Sequence, residues 1–119
     1  MTQLRTQIDP KILGAIDAFL ARLSNTYPVR GARLFGSRAR GDHGDESDAD
    51  LAIFLKGARA EKSDLLRTKL EMADIAFDIL LDTNVLISPL PIWEAEWGHP
   101  EHYENPRLLE NIRRDGVVL

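Results

Sequence analysis

The stretch GSRARGDHGDESDADLAIFL, residues 36–55, sets a dense group of acidic residues directly before an apolar run. Asp48 and Asp50 stand at the start of the run Leu51–Leu55. Carboxylates crowded beside a buried strand repel one another and lose hydration, so the arrangement needs a positive partner. The apolar residues are continuous and do not alternate with polar ones. Ala49–Leu55 is therefore predicted to be a strand that is buried on both faces and central in its sheet.

Capping signals and hydrophobic spacing predict the elements on either side of this strand. Helices are predicted at residues 9–24, at 60–73 and from Asn105–Pro106 to just before Gly116, with a short helical turn at Arg38–Arg40. The other predicted strands are Val29–Phe35, Ile75–Leu81 and Val85–Leu90, the last one an edge strand that ends at Pro89 and Pro91. This order predicts an α+β fold with a small mixed sheet flanked by helices.

The composition limits the classes of protein that fit the chain. With 119 residues, of which 44% are hydrophobic, it is predicted to be a single domain, with a motif core at about 30–82 and an extension at 85–119. No apolar window is long enough for a membrane span and no signal peptide is visible, so we expect a cytoplasmic protein. The chain has no cysteine, and its net charge of −4 argues against stable binding to nucleic acid.

Three carboxylates are candidates for a metal site. Residues two apart in a strand point to the same face, so Asp48 and Asp50 are expected to converge on one cation. Asp78 lies in the predicted strand Ile75–Leu81 and has no adjacent basic residue, with Asp82 as the rival third ligand. Hard oxygen donors without cysteine suit Mg²⁺ or Mn²⁺.

Each of these acidic residues also has a simpler explanation. Asp48 and Asp50 fit a turn or a helix cap, because isolated acidic tripeptides are common in turns. Asp78 fits an edge-strand aspartate that reaches solvent. The apolar context on both strands favours the metal site over these alternatives.

A second candidate site precedes the acidic pair. Gly36 and Ser37 follow a predicted strand and open a helical turn, where backbone N–H groups face an anion. Glycine allows a phosphate to approach the backbone closely, and the serine hydroxyl adds a donor. Arg38 and Arg40 are candidates for additional positive charge. A phosphate cradle next to a metal-binding acidic pair predicts a site for a Mg²⁺-nucleoside triphosphate.

Gly36-Ser37, ten further residues and Asp48-Ala49-Asp50 together resemble the GSx10DxD signature of the DNA polymerase β-like nucleotidyltransferase superfamily. The flanking residues are similar to those of the minimal nucleotidyltransferases, the MntA-type antitoxins. The resemblance implies that the glycine and serine hold the triphosphate and that the two aspartates bind two divalent ions. It also implies that Asp78 completes the metal-binding and catalytic set.

In function, the resemblance implies an adenylyltransferase that moves AMP from ATP to a tyrosine of a HEPN-domain toxin and thereby acts as its antitoxin. The alternative from a different class is a nucleotidyltransferase-like binding module that neutralises its partner by occlusion. The complete set of charged residues favours the enzyme, because a pure binding role does not need like charges gathered at the mouth of a strand.

Overall fold

The computed structural model describes residues 4–41 and 48–119. Within these residues the helices, besides two short 3-10 turns, are α1 (Pro10–Leu23), α2 (Ser37–Arg40), α3 (Asp64–Thr83), α4 (Glu94–Trp97) and α5 (Pro106–Asp115). The strands are β1 (Val29–Phe35), β2 (Ala49–Leu55), β3 (Ile87–Trp93) and β4 (Val117–Val118). None of the described helices is long and apolar enough to cross a membrane.

The described strands form one mixed sheet in the order β3-β2-β1-β4. Strand β1 is antiparallel to both β2 and β4, whereas β2 and β3 are parallel. The register places Phe35 of β1 and Ser88 of β3 on either side of Asp50. The α+β prediction is confirmed, and β2 occupies the central position that its apolar run predicted.

Helices cover both faces of the sheet because the side chains of β2 are apolar in both directions. Leu51 and Ile53 pack into the larger core with residues of α1 and α3. Ala52 and Phe54 point the other way, into a smaller core with residues of α5. Asp50 lies two residues before Ala52 in β2, so its side chain points to the same face of the sheet as Ala52 and Phe54. The acidic end of β2 therefore lies on the face that α5 partly covers.

Two predicted helices begin at the capping residues that the sequence indicated. The Asp9 carboxylate accepts a hydrogen bond from the Lys11 amide at 2.8 Å, and Pro10 is the first residue of α1. The Asn105 side chain accepts from the amide of Leu108 at 3.2 Å at the start of α5. Each cap satisfies an amide that has no partner within its helix.

The predicted strand Ile75–Leu81 is wrong, because the whole segment belongs to α3. The buried residues of α3 in this region are Met72, Ala76 and Ile79, which are four and three residues apart. This is the spacing of one helix face, and it was hidden inside an otherwise continuous apolar run. The helix ends at Thr83, and the next residue, Asn84, caps it with a left-handed φ of 61°.

The boundaries of the edge strand also differ from the prediction. Strand β3 does not stop at Pro89 but continues through Pro91 to Trp93. An edge strand tolerates proline because the missing N–H faces away from the neighbouring strand. The edge position of β3 therefore agrees with the prediction. The predicted end of the strand at Pro89 and Pro91 is wrong, because the strand continues to Trp93. The short strand β4 was not predicted.

Candidate active site

The end of β1 closely approaches the acidic end of β2. Gly36 follows β1 with a φ of +72°, in the left-handed region that favours glycine. A Cβ atom on this residue would lie 2.4 Å from Asp50 Oδ2. Only glycine fits this position, so the turn before α2 lies directly against the carboxylate of Asp50.

The serine and the two arginines that follow occupy different surroundings. Ser37 is the first residue of α2 and is partly exposed beside the Gly36 turn. Arg38 is buried, whereas Arg40 is exposed. The positive charge of Arg40 acts on Asp50, since it lowers the pKa of that carboxyl. The two arginines therefore do not share one environment, and the charge of Arg40 acts on Asp50.

Asp48 and Asp50 form a pair of carboxylates that repel each other. Asp48 is exposed just before β2, and Asp50 is half-buried within it. Burial raises the pKa of Asp50, the charge of Asp48 raises it further, and Arg40 offsets part of the effect. The ionised state of Asp50 is therefore disfavoured unless a cation joins the pair.

The structure does not bring Asp78 to this pair. Asp78 lies on α3 and accepts a hydrogen bond from Arg22 Nη2 at 3.1 Å, with both side chains about half exposed. The rival Asp82 lies on the last turn of the same helix and is also exposed. Within residues 4–41 and 48–119, no three histidine, aspartate or glutamate side chains are grouped closely enough to bind a metal ion. The structure therefore does not group Asp78 with the pair, because the segment that carries it forms a helix and not a strand of the sheet.

The residue beside Asp50 in the neighbouring parallel strand is Ser88. In parallel strands, residues in register point to the same face, so a neutral hydroxyl stands where a third carboxylate would complete the set. The sequence analysis missed Ser88. The signal that was available is that Ser88 is the single polar residue in β3.

A divalent ion nevertheless fits the observed pair. Asp48 and Asp50 supply hard oxygen donors. Burial raises the pKa of Asp50 and repulsion from Asp48 raises it further, and a bound cation would remove that repulsion. Mg²⁺ is commonly held by one or two carboxylates together with phosphate oxygens and water. Residues 42–47, which include Asp42, Asp45 and Glu46, lie outside the described residues.

Comparisons with known proteins identify the class of protein to which this chain belongs. Residues 20–90 match the family model described as polymerase beta, nucleotidyltransferase. The fold is similar to the crystal structure of a candidate nucleotidyltransferase from Sulfolobus solfataricus, with a TM-score of 0.53 and 18% identity. That match covers 91% of this chain and 78% of the other. A search among curated proteins finds no match.

The family match spans more than half of the chain and includes both Gly36-Ser37 and Asp48-Ala49-Asp50. The protein therefore belongs to the polymerase β nucleotidyltransferase family, and the predicted superfamily is confirmed. Assignment to the MntA type stays a prediction.

Proposed function

We propose that this protein is a divalent-metal-dependent nucleotidyltransferase that transfers AMP from ATP to a tyrosine hydroxyl of a HEPN-domain toxin and so acts as an antitoxin. The observation that supports the transfer chemistry is the direct contact between the Gly36 turn and the Asp50 carboxylate. A turn that favours phosphate and a carboxylate that favours a cation lie side by side, as a metal-bound triphosphate requires.

In the proposed reaction, the acceptor oxygen forms a bond to the α-phosphorus of ATP. The bond between that phosphorus and the oxygen that bridges the α- and β-phosphates breaks. Pyrophosphate leaves, and the hydroxyl proton passes to solvent. Gly36 has no Cβ, which lets its turn lie against the Asp50 carboxylate, and Ser37 beside it would donate to the triphosphate oxygens. Asp48 and Asp50 would hold Mg²⁺ or Mn²⁺, which supplies charge neutralisation at the attacking and leaving oxygens when bound.

One observation favours the alternative in which the protein neutralises its partner by occlusion. The position beside Asp50 in β3 is a serine, and no third carboxylate joins the pair among the described residues. A site with two carboxylates holds metal less tightly than a site with three, which would lower the rate of transfer. Occlusion needs the partner contact and not the metal.

The test combines the protein with ATP, Mg²⁺ and a HEPN-domain protein encoded by a neighbouring gene, followed by mass spectrometry of that partner. We expect an AMP adduct on a tyrosine with the wild type, and its loss with Asp48→Asn and with Asp50→Asn. Gly36→Ala should also abolish the adduct. Gly57→Ala is its matched control, because Gly57 also has a positive φ, of +83°, but has no atom within 4 Å of an added Cβ.

The two functions give opposite results in cells that express the partner. If Asp48→Asn and Asp50→Asn remove the adduct and also the protection, transfer is the function. If the wild type forms no adduct and the same variants still protect, transfer is refuted and occlusion is supported.

A further inference from the structure

Ser88 lies beside Asp50, on the side of β2 away from β1. The two residues are in register on parallel strands, so their side chains point to the same face of the sheet. Leu90 and Ile92 follow Ser88 at steps of two residues and pack in the smaller core, on the same face. Neighbouring strands are about 4.8 Å apart, so an ion bound to Asp50 would be within reach of a side chain at position 88.

A serine at position 88 offers a divalent ion much less than a carboxylate would. Its hydroxyl is neutral, and it lies closer to the backbone than the oxygens of an aspartate do. Within residues 4–41 and 48–119, no third acidic or histidine side chain joins Asp48 and Asp50 closely enough to hold an ion. The affinity of a site for a divalent ion depends on the number of its charged ligands, so the pair alone should hold one weakly.

The serine also limits repulsion when no ion is bound. Burial raises the pKa of Asp50, and the charge of Asp48 raises it further. A third carboxylate at position 88 would add to this repulsion, because it would place another like charge beside Asp50. Serine therefore lowers the cost of folding without an ion and, for the same reason, lowers the affinity for that ion.

A triphosphate can supply the charged ligands that the protein lacks. The Gly36 turn lies directly against the Asp50 carboxylate, and in the proposed function it holds the triphosphate. Mg²⁺ is commonly bound by one or two carboxylates together with phosphate oxygens of the substrate. The ion and the nucleotide should then each raise the affinity of the protein for the other by the same factor.

We propose that Ser88 makes metal binding at this site depend on the nucleotide. The pair Asp48 and Asp50 binds a divalent ion weakly in the free protein and tightly once a nucleoside triphosphate occupies the Gly36 turn. The neutral side chain of Ser88 is the reason for the weak binding in the free protein. The inference rests on the proposed function, because it takes a nucleoside triphosphate as the ligand of the Gly36 turn.

The first test measures the binding of Mn²⁺ to the protein without nucleotide, from the electron paramagnetic resonance signal of the free ion. Ser88→Asp should bind Mn²⁺ at least about tenfold more tightly than the wild type, because it adds a third charged ligand. Ser88→Ala should bind Mn²⁺ within about twofold of the wild type, since the neutral hydroxyl adds little to the affinity.

Asn25→Asp is the matched control, because it adds the same charge away from the acidic pair. Asn25 is exposed and lies before β1, whose first residue, Val29, pairs with Leu55, whereas its last residue pairs with Asp50. The control should bind Mn²⁺ like the wild type. A gain restricted to Ser88→Asp then reflects the position of the carboxylate and not the net charge.

The second test measures the nucleotide dependence in the wild type and does not require Ser88→Asp to fold. A fluorescent, nonhydrolysable ATP analogue should bind the wild type at least about tenfold more tightly in Mn²⁺ than in a chelator. Urea unfolding in Mn²⁺ shows which variants are folded. If Ser88→Asp is unfolded, Ser88→Ala and the nucleotide dependence of the wild type decide the question.

The outcomes that would overturn the proposal are distinct. Equal Mn²⁺ affinity of folded Ser88→Asp and the wild type would show that position 88 does not face the ion. A tenfold loss of affinity in Ser88→Ala would show that the hydroxyl is itself a ligand. Equal affinity for the ATP analogue in Mn²⁺ and in the chelator would show that metal and nucleotide are not coupled.

Neither measurement involves AMP transfer, so this proposal and the proposed function can fail separately. If Ser88→Asp gains Mn²⁺ affinity and the analogue needs Mn²⁺, but no AMP adduct forms on the HEPN-domain protein, the proposed function fails and the role of Ser88 stands. If the adduct forms but folded Ser88→Asp binds Mn²⁺ no more tightly than the wild type, the role of Ser88 fails and the proposed function stands.

Discussion

The pair Asp48 and Asp50 determines what the acidic end of β2 can do. Asp50 is held against the Gly36 turn on one side and is in register with Ser88 on the other. Burial and the nearby negative charge of Asp48 destabilise the ionised form of Asp50 in the folded chain when no cation is present. The same repulsion makes the pair receptive to a divalent ion.

Asp50→Asn should change how stability depends on pH. The pKa of Asp50 is raised in the folded state, so the folded chain binds more protons than the unfolded chain between the ordinary and the raised value. Without divalent ions, the free energy of unfolding from this residue therefore falls as pH rises from about 4 through that window. Asparagine does not titrate, and the variant should gain up to about 1 kcal/mol at neutral pH by relief of like-charge repulsion.

Urea unfolding from acidic to neutral pH, with and without Mn²⁺, checks this expectation. Mn²⁺ should stabilise the wild type at neutral pH, since a ligand that binds only the folded state adds about 2.7 kcal/mol at a hundred times its Kd. The variant should respond much less to the ion. Parallel pH profiles for the two proteins would contradict the expected role of Asp50.

At the scale of elements, α3 is the one whose second half the sequence predicted wrongly, as a strand. Its second half contains an apolar run that fits a strand as well as a helix, because both can bury such a run. The tertiary structure selects the helix, with Ile79 buried and Phe77 exposed. The same choice carries Asp78 away from the acidic pair and to Arg22.

Alanine substitutions at Ile79 and Phe77 distinguish the helix from a strand. In α3, Ile79→Ala removes a side chain that is 2% exposed and should cost about 2–4 kcal/mol of unfolding free energy. Phe77→Ala removes an exposed ring and should change stability by about 0.5 kcal/mol or less. In a strand the two side chains would share one face, so similar losses for both variants in urea unfolding would refute the helix.

At the scale of the whole molecule, Arg59 joins the segment between β2 and α3 to the C-terminal region. Its Nη2 donates to Glu96 Oε2 at 2.7 Å, and its guanidinium also bonds to Glu104. The guanidinium lies 5.7 and 5.8 Å from the ring centroids of Trp93 and Tyr103. This cluster links three separate parts of the chain on the side of β3 where α4 begins.

Removal of Arg59 should be costly because Glu96 is buried. Burial raises the pKa of Glu96, the charge of Arg59 opposes this shift, and Glu96 Oε1 already lacks a hydrogen-bond partner among the described residues. Arg59→Ala leaves a buried carboxylate without its cation, at a cost of about 3 kcal/mol. The loss should be smallest at acidic pH, where Glu96 is protonated, and should grow as pH rises.

Chemical denaturation of Arg59→Ala and Arg22→Ala provides the comparison. Arg22 pairs with Asp78 on the surface, where an ion pair contributes about 0.2–1 kcal/mol. Adding Glu96→Gln to Arg59→Ala should recover part of the loss and flatten its pH dependence. Equal losses for the two arginine variants would show that the Arg59 cluster does not stabilise the fold.

The sequence by itself determined α1, β1, β2 and α5, the Gly36-Ser37 turn and the pair Asp48 and Asp50. These features depend on local signals, namely caps, periodicity and turn residues, which act over a few neighbouring positions. The fold class followed from their order.

Only the tertiary structure decided that Asp78 is excluded from the acidic pair, that Ser88 stands beside Asp50 and that one face of α3 stays exposed. Each of these three features depends on which distant segments of the chain come into contact. An apolar run does not encode those contacts, because burial against a sheet and burial against a partner require the same side chains.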